Sequence, residues 1–187
     1  MKTLVIVGSR NREGQTARAV RAYTEGLGEG GSDIETVFLT EMQVGHCKQC
    51  DQEGWGGCLT RGICSGQQDD FQGLVDKIRA ADAVVFATPV YWGDLSESMK
   101  AFTDRLRRGA AQGLDSEGLQ GKKAVGICVA GGGGGGAPTC TVSLDNVLST
   151  CGLDVVDLFP VRRQNLAYKL ALLYDGGKWL AAGAPEA

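Results

Sequence analysis

The chain has 187 residues, 43% hydrophobic and 22% charged, with a formal net charge of −3. That length is most simply one domain, 1–187, with a full α/β core. The charge gives no electrostatic case for nucleic acid or an anionic membrane surface, and no apolar run reaches the length of a membrane span.

Met1 leads straight into Leu4-Val5-Ile6-Val7, a short apolar run of the kind that forms a buried parallel strand, with no leader pattern before it. The loop GSRNREGQT (8–16) follows, then an amphipathic segment with Val20, Tyr23 and Leu27 on one helical face. Strand, small polar loop and helix together make a phosphate-binding construction. Free backbone N–H groups and the positive helix end face an anion, and Ser9 and Thr16 add hydroxyl donors. Neither the dinucleotide glycine fingerprint nor the Gly-Lys-Ser/Thr of triphosphate sites is present.

GLGEGGSD forms a loop, and Ile34, Val37 and Phe38-Leu39 indicate a second strand. Residues 40–68 lack periodicity and hold four of the seven cysteines and the single histidine; a stretch this long is more often functional than idle. Asp69-Asp70 are placed to cap a helix bearing Phe71, Leu74, Val75 and Ile78. A buried strand, Ala83 to Ala87, ends at TPVYWGD, and Leu95, Met99, Phe102 and Leu106 mark the next helix. A glycine-spaced connection (109–121) precedes a strand over Ala124 to Ala130. The run Gly131 to Gly136 then opens a helix with Leu144, Val147, Leu148 and Cys151 inward. A last strand is expected over Leu153 to Phe159, a partly helical segment over Val161 to Leu173, and a frayed tail from Ala181. This alternation predicts a three-layer, doubly wound α/β fold with a five-stranded parallel sheet of order 2-1-3-4-5. Ligands of such sheets bind outside the carboxyl ends of the strands at the switch point, where three loops converge: GSRNREGQT, TPVYWGD and the polyglycine run.

With those loops in place, the chain resembles the NADPH-dependent FMN reductase and iron–sulfur flavoprotein branch of the flavodoxin-like superfamily. The carriers are residues 8–16, the cysteine segment ending in Asp69-Asp70, ADAVVFATPVYWGDLSESMKAFTDR (81–105) and AGGGGGGAP (130–138). The resemblance implies FMN as cofactor and NAD(P)H as electron donor. Ser9, Gly14, Gln15 and Thr16 match positions that hold the FMN phosphate. Arg10-Asn11 stand where the family usually has Pro-Arg, and Gln15 where it has Asn, so the side chains that assist the backbone differ. Pro89, Val90, Tyr91, Trp92 and Gly93 match the loop beside the isoalloxazine, with Tyr91 and Trp92 suited to wall a flat apolar ring. Gly131, Gly132 and Gly133 let the backbone pass close to flavin or nicotinamide. Hydride transfer to a flavin needs stacking and exclusion of water, not a general base, and no catalytic side chain is assigned.

Cys47-x2-Cys50-x7-Cys58-x5-Cys64 offers four thiolates that could hold a 4Fe–4S cluster, hold zinc, or serve as free or redox-active thiols. Iron–sulfur flavoproteins have a compact run whose third cysteine follows the second by three positions. Here Glu53 occupies that position and the third cysteine comes after an insertion. Cys128, Cys140 and Cys151 read as buried small hydrophobes. Asp104-Arg105 read as structural, in an interhelix or cap interaction, and His46 as a loop residue with ligation open beside Cys47. Arg107-Arg108 and Arg162-Arg163 read as surface arginines that could also meet a 2′-phosphate. The expected protein is a cytoplasmic oxidoreductase passing electrons to a small-molecule acceptor or a redox protein. The alternative is an iron–sulfur electron-transfer protein. The resemblance also implies a homodimer or homotetramer, with the cysteine segment and residues 109–121 able to complete a neighbour's site.

Overall fold

The computed structural model describes residues 1–51, 53–110 and 118–184. Five strands, β1 (Lys2–Val7), β2 (Asp33–Phe38), β3 (Ala83–Pro89), β4 (Lys123–Ala130) and β5 (Asp154–Arg162), form one sheet of order β2-β1-β3-β4-β5. Every neighbouring pair is parallel. The helices are α1 (Gln15–Glu29), a single turn α2 (Gly57–Thr60), α3 (Phe71–Ala80), α4 (Glu97–Ala110), α5 (Ala137–Thr150) and α6 (Leu166–Ala181). Order and direction are those the alternation predicts.

The period-2 pattern of the strands sorts the core into two layers. Leu4, Ile6, Val84, Phe86 and Cys128 face α3, α4 and α5, while Val5, Val7, Val85, Ile127 and Val129 face α1 and α6. The central strands are buried on both sides and therefore read as continuous apolar runs.

Two carboxyl-terminal elements run further than the sequence indicates. β5 continues through Pro160 to Arg162, because it is an edge strand and a missing N–H there costs no ladder bond. α6 continues past Leu173 through Gly176-Gly177. Those glycines lower helix propensity, but they allow α6 to lie directly on α1: a Cβ on Gly177 would overlap the carbonyl of Tyr23, and one on Gly26 the carbonyl of Tyr174. Of the tail expected from Ala181, residues 181–184 carry a turn at Gly183 with Ala184 buried, and positions 185–187 lie outside the described residues. Within the connection 109–121, positions 111–117 lie outside the described residues.

The caps also differ in detail. Asp69 accepts the amide of Phe71 at 3.3 Å, whereas Asp70 turns back to the amide of Gln43 at 2.7 Å. Gly14, not a hydroxyl residue, precedes α1, and Asn11 Oδ1 accepts the amide of Glu13 at 2.9 Å.

Candidate functional site

The carboxyl ends of β1, β3 and β4 are fastened to one another before any ligand is considered. The amide of Gly8 donates to Ala87 O at 2.8 Å, and that of Val90 to Val129 O at 3.0 Å. Ser96 and Ser98 hydroxyls both donate to Gly8 O, at 3.0 and 3.1 Å, while the Ser96 amide bonds Thr88 Oγ1 at 3.1 Å. A Cβ on Gly8 would stand 2.6 Å from Ser96 Oγ, so this strand end requires glycine. Ser96, Ser98 and Thr88 were not singled out by the sequence, since small hydroxyl residues before a helix carry no distinctive signal.

These ends frame a cavity of about 1180 Å³. Its lining brings together Ser9, Asn11, Gly14, Gln15 and Thr16 from the first loop with Pro89, Val90, Tyr91, Trp92 and Gly93 from the second. Gly131, Gly132 and Gly133 close it from the third. Arg10 alone of the expected residues lies elsewhere, exposed beside a smaller adjoining cavity of about 420 Å³. Glu97 from the start of α4, Thr139 from α5 and the rest of the glycine run complete the wall. Glu97 and Thr139 sit in first turns of amphipathic helices, where only the fold reveals which side faces the cavity.

Ser9 and Thr16 are buried at the mouth of α1, whose first amides are free to meet an anion. Residues 91–94 form a tight two-residue hairpin, Tyr91 and Asp94 exchanging backbone bonds of 2.9 and 3.0 Å. Trp92 and Gly93 both take positive φ, 53° and 85°, the pattern of a type I′ turn. An aromatic residue rarely adopts that conformation, and Trp92 is fully exposed. The apolar wall inside the cavity comes from Pro89 and Val90, with Tyr91 and Trp92 at its exposed rim. The second and third loops touch backbone to backbone: a Cβ on Gly136 would lie 2.6 Å from the Cα of Gly93.

The cysteine segment folds against the other end of α4. Cys47, Cys50, Cys58 and Cys64 all line one small cavity of about 20 Å³, together with Lys48, Arg105 and Arg108. Cys50 is flanked by two residues in left-handed conformation, Gln49 (φ 48°) and Asp51 (φ 61°), and its sulfur lies where a Cβ on Gly66 would be. Arg105 is buried to 1% exposure, bonding Asp69 through both nitrogens at 2.6 and 3.0 Å and Gly45 O at 3.0 Å. Its Nε points at Cys64 Sγ, 3.3 Å away, and its plane covers the Phe71 ring at 4.1 Å. Burial alone would raise the Asp69 carboxyl and lower the Arg105 guanidinium. The hydrogen bonds and charge of Arg105, together with the Gly45 and Phe71 amides, outweigh it at Asp69, which lies below its ordinary value. The bonds and charges of Asp69 and Cys64 outweigh it at Arg105, which lies above its own. Arg105 thus has the structural role expected of it, joining α4 to the start of α3, while Asp104 meets Arg107 and Lys100 at the surface.

Arg108 stacks on Trp55 at 3.9 Å and bonds Gly54 O, which places Arg107-Arg108 at the cysteine end of α4 and away from the large cavity. Arg162 and Arg163 stand exposed at the end of β5, and His46 contributes its carbonyl to Gln67 at 2.7 Å. Among the described residues, no three His, Cys, Asp or Glu side chains are gathered closely enough to hold a metal ion. A cavity of about 20 Å³ accommodates roughly one water-sized occupant, which does not fit a four-iron cluster.

The chain is similar to known proteins over most of its length. The family model for NADPH-dependent FMN reductases matches residues 1–165. An iron–sulfur flavoprotein from Methanosarcina thermophila is 30% identical over 159 residues, covering 83% of this chain and 77% of that protein. Another from Archaeoglobus fulgidus is 32% identical over 106 residues, or 57% of this chain and 46% of its own. For several of these relatives the match spans about half of their length. The structure of an NAD(P)H:quinone oxidoreductase from Methanothermobacter marburgensis superposes with a TM-score of 0.72 at 22% identity, covering 100% of this chain and 99% of that one, which establishes a shared flavodoxin-like fold. With a match over most of its length and the three loops of the fold assembled at one cavity, the chain belongs to the NADPH-dependent FMN reductase family.

Proposed function

We propose that the large cavity binds FMN and that the protein is an NAD(P)H-dependent oxidoreductase using it. The observation that carries this reading is the convergence of the three loops on one open cavity with unsatisfied donors and acceptors. Gln15 Oε1 is buried there without a hydrogen-bond partner. The amides of Gly131 to Gly136 have no carbonyl partner among the described residues. The buried Gln15 oxygen calls for a partner that a ligand would supply, and the glycine amides, several of them exposed, are open to one.

The first amides of α1, with Ser9 and Thr16, would take the phosphate, while Pro89, Val90 and the glycine run would line the ring. Bound there, FMN would supply a hydride acceptor for a reduced nicotinamide and a source of electrons for a second acceptor. The chain's own part is to fix the ring between Val90 and the glycines, keep one face open for both substrates in turn, and exclude water behind it. A quinone or a flavin is the acceptor class we favour, in line with the name of the quinone oxidoreductase that shares the fold. Seven unpaired cysteines support a reducing, cytoplasmic setting, and the negative net charge supports neither nucleic acid nor an anionic membrane surface as partner. No helix among the described residues is long and apolar enough to cross a membrane. The exposed Tyr91 and Trp92 at the rim support a homodimer or homotetramer in which a second subunit covers the site.

A second reading, electron transfer between protein partners, is favoured by the gathering of four cysteines at one cavity faced by Lys48, Arg105 and Arg108. Cationic groups suit thiolates, but the cavity would have to widen to take a cluster. The spectrum of protein purified without oxygen, before and after NADPH, tests both readings. Two flavin bands that bleach are expected; a broad iron–sulfur shoulder would turn the case to the second reading. Failure to bind added FMN would refute both.

A further inference from the structure

The glycine run is held from two sides by glutamine side chains that come from different parts of the chain. Gln15 Nε2, on the first turn of α1, donates to Gly131 O at 3.2 Å. Gln164 Nε2, just past β5, donates to Gly133 O at 2.9 Å. Gln164 also lies directly against the Cα of Gly134, where a side chain would collide with its amide and where φ is 79°. Between these pins nothing lies within 4 Å of where a Cβ on Gly132 or Gly133 would be, so the backbone itself faces open space. A six-glycine run with no such pins would sample many conformations, and its ordering would oppose binding.

We propose that Gln15 and Gln164 are positioning residues that engage the carbonyls of the glycine loop so that its amides remain the groups presented to the ligand. This rests on the FMN reading above. The Gly131 and Gly133 carbonyls each accept a glutamine N–H, while the loop amides have no carbonyl partner among the described residues, so those amides are available to an electron-rich edge. The pyrimidine edge of a flavin, N1 with the C2 carbonyl, is such an edge and gains negative charge on reduction. The pinned loop therefore favours reduced over oxidised FMN, and the two glutamines raise the potential of the bound cofactor. Gln164 does not itself line the cavity, and its side-chain bond runs to this loop, so the effect sought is one that passes through the loop.

The test compares wild type with Gln164→Ala and Gln164→Glu. FMN affinity is read by flavin fluorescence, and the two-electron midpoint potential of bound FMN by dye titration. Gln164 is exposed, and an unchanged thermal midpoint checks that both variants fold. Losing one amide-to-carbonyl bond is expected to weaken oxidised FMN by about fivefold or less and reduced FMN by about fivefold more. That extra fivefold appears as a potential lower by about 20 mV, at 29.6 mV per tenfold for two electrons. Glu, which cannot donate, should shift the potential at least as far as Ala. Equal weakening of both redox states, or no change in either, overturns the proposal while leaving the FMN site intact. Wild type that fails to bind FMN overturns the site reading and the proposal with it.

Discussion

Arg105→Met separates the structural role of the arginine from any role in chemistry. The side chain is 1% exposed and Asp69 10%, and they share two charge-assisted bonds. Methionine fills much of the volume and keeps contact with Phe71, but it leaves the Asp69 carboxylate and the Gly45 carbonyl short of donors. Removing one partner of a buried ion pair costs about 3–5 kcal/mol. Asp69 retains the amides of Gly45 and Phe71, so the lower part of that range is expected. Urea unfolding of wild type, Arg105→Met, Asp69→Asn and the double variant measures both the cost and the coupling. The double variant should be destabilised by clearly less than the sum of the singles. The pH dependence has a definite sign. The Asp69 carboxyl lies below its unfolded value, so its contribution is complete above about pH 5 and fades as pH falls through the folded value. In Arg105→Met that acid-side loss should shrink. A cost under about 1 kcal/mol, or strictly additive singles, would refute the reasoning.

Three further outcomes follow from other parts of the molecule. Gly136→Ala places a Cβ 2.6 Å from the Gly93 Cα at φ 77°, so FMN affinity measured by fluorescence should fall more than tenfold and stability by about 1–3 kcal/mol. Trp92→Asn puts Asn-Gly into a type I′ turn and should raise unfolding stability by about 0.5–1 kcal/mol, since the fully exposed indole contributes no burial within the chain. In native protein, a thiol reagent at pH 8 should titrate Cys47, Cys50, Cys58 and Cys64 well before the three buried cysteines. Burial pushes the Cys151 thiol up to about 12, and the hydrogen bond to Cys128 together with burial raises Cys140. That same bond lowers Cys128, which is protected instead by having no exposed surface. Rapid modification of all seven would show that the core opens readily.

The sheet was legible because its three central strands are apolar on both faces, as Val5, Val85 and Ile127 on one side and Leu4, Val84 and Cys128 on the other show. The cavity was legible in outline for a related reason: a parallel sheet puts the loops after β1, β3 and β4 on one edge whatever their sequence. What stayed hidden was contact across long separations. Nothing local in Gln164 tells of a bond to Gly133, and Gly177 reads as a helix breaker until Tyr23 of α1 is seen against it. Arg107-Arg108 show the same limit, because a guanidinium suits a phosphate or the face of Trp55 equally well until the fold chooses.

That choice makes α4 the link between two centres. Glu97 at its start lines the large cavity, while Arg105 and Arg108, two and three turns on, line the cysteine cavity. Eight to eleven residues at 1.5 Å each separate them by roughly 12–16 Å along the helix. The two cavities share no lining residue, so they should fail independently. Cys64→Ser replaces the sulfur that accepts Arg105 Nε with an oxygen of similar capacity, and should leave FMN affinity and NADPH-driven flavin bleaching within about twofold of wild type. If the cysteine cavity holds a metal centre, the same change should remove most of the iron or zinc from anaerobically prepared protein. If it holds free thiols, the metal content is nil in both. Loss of flavin reduction in Cys64→Ser with FMN still bound would break the independence of the two cavities and make the cysteines part of the path by which electrons enter.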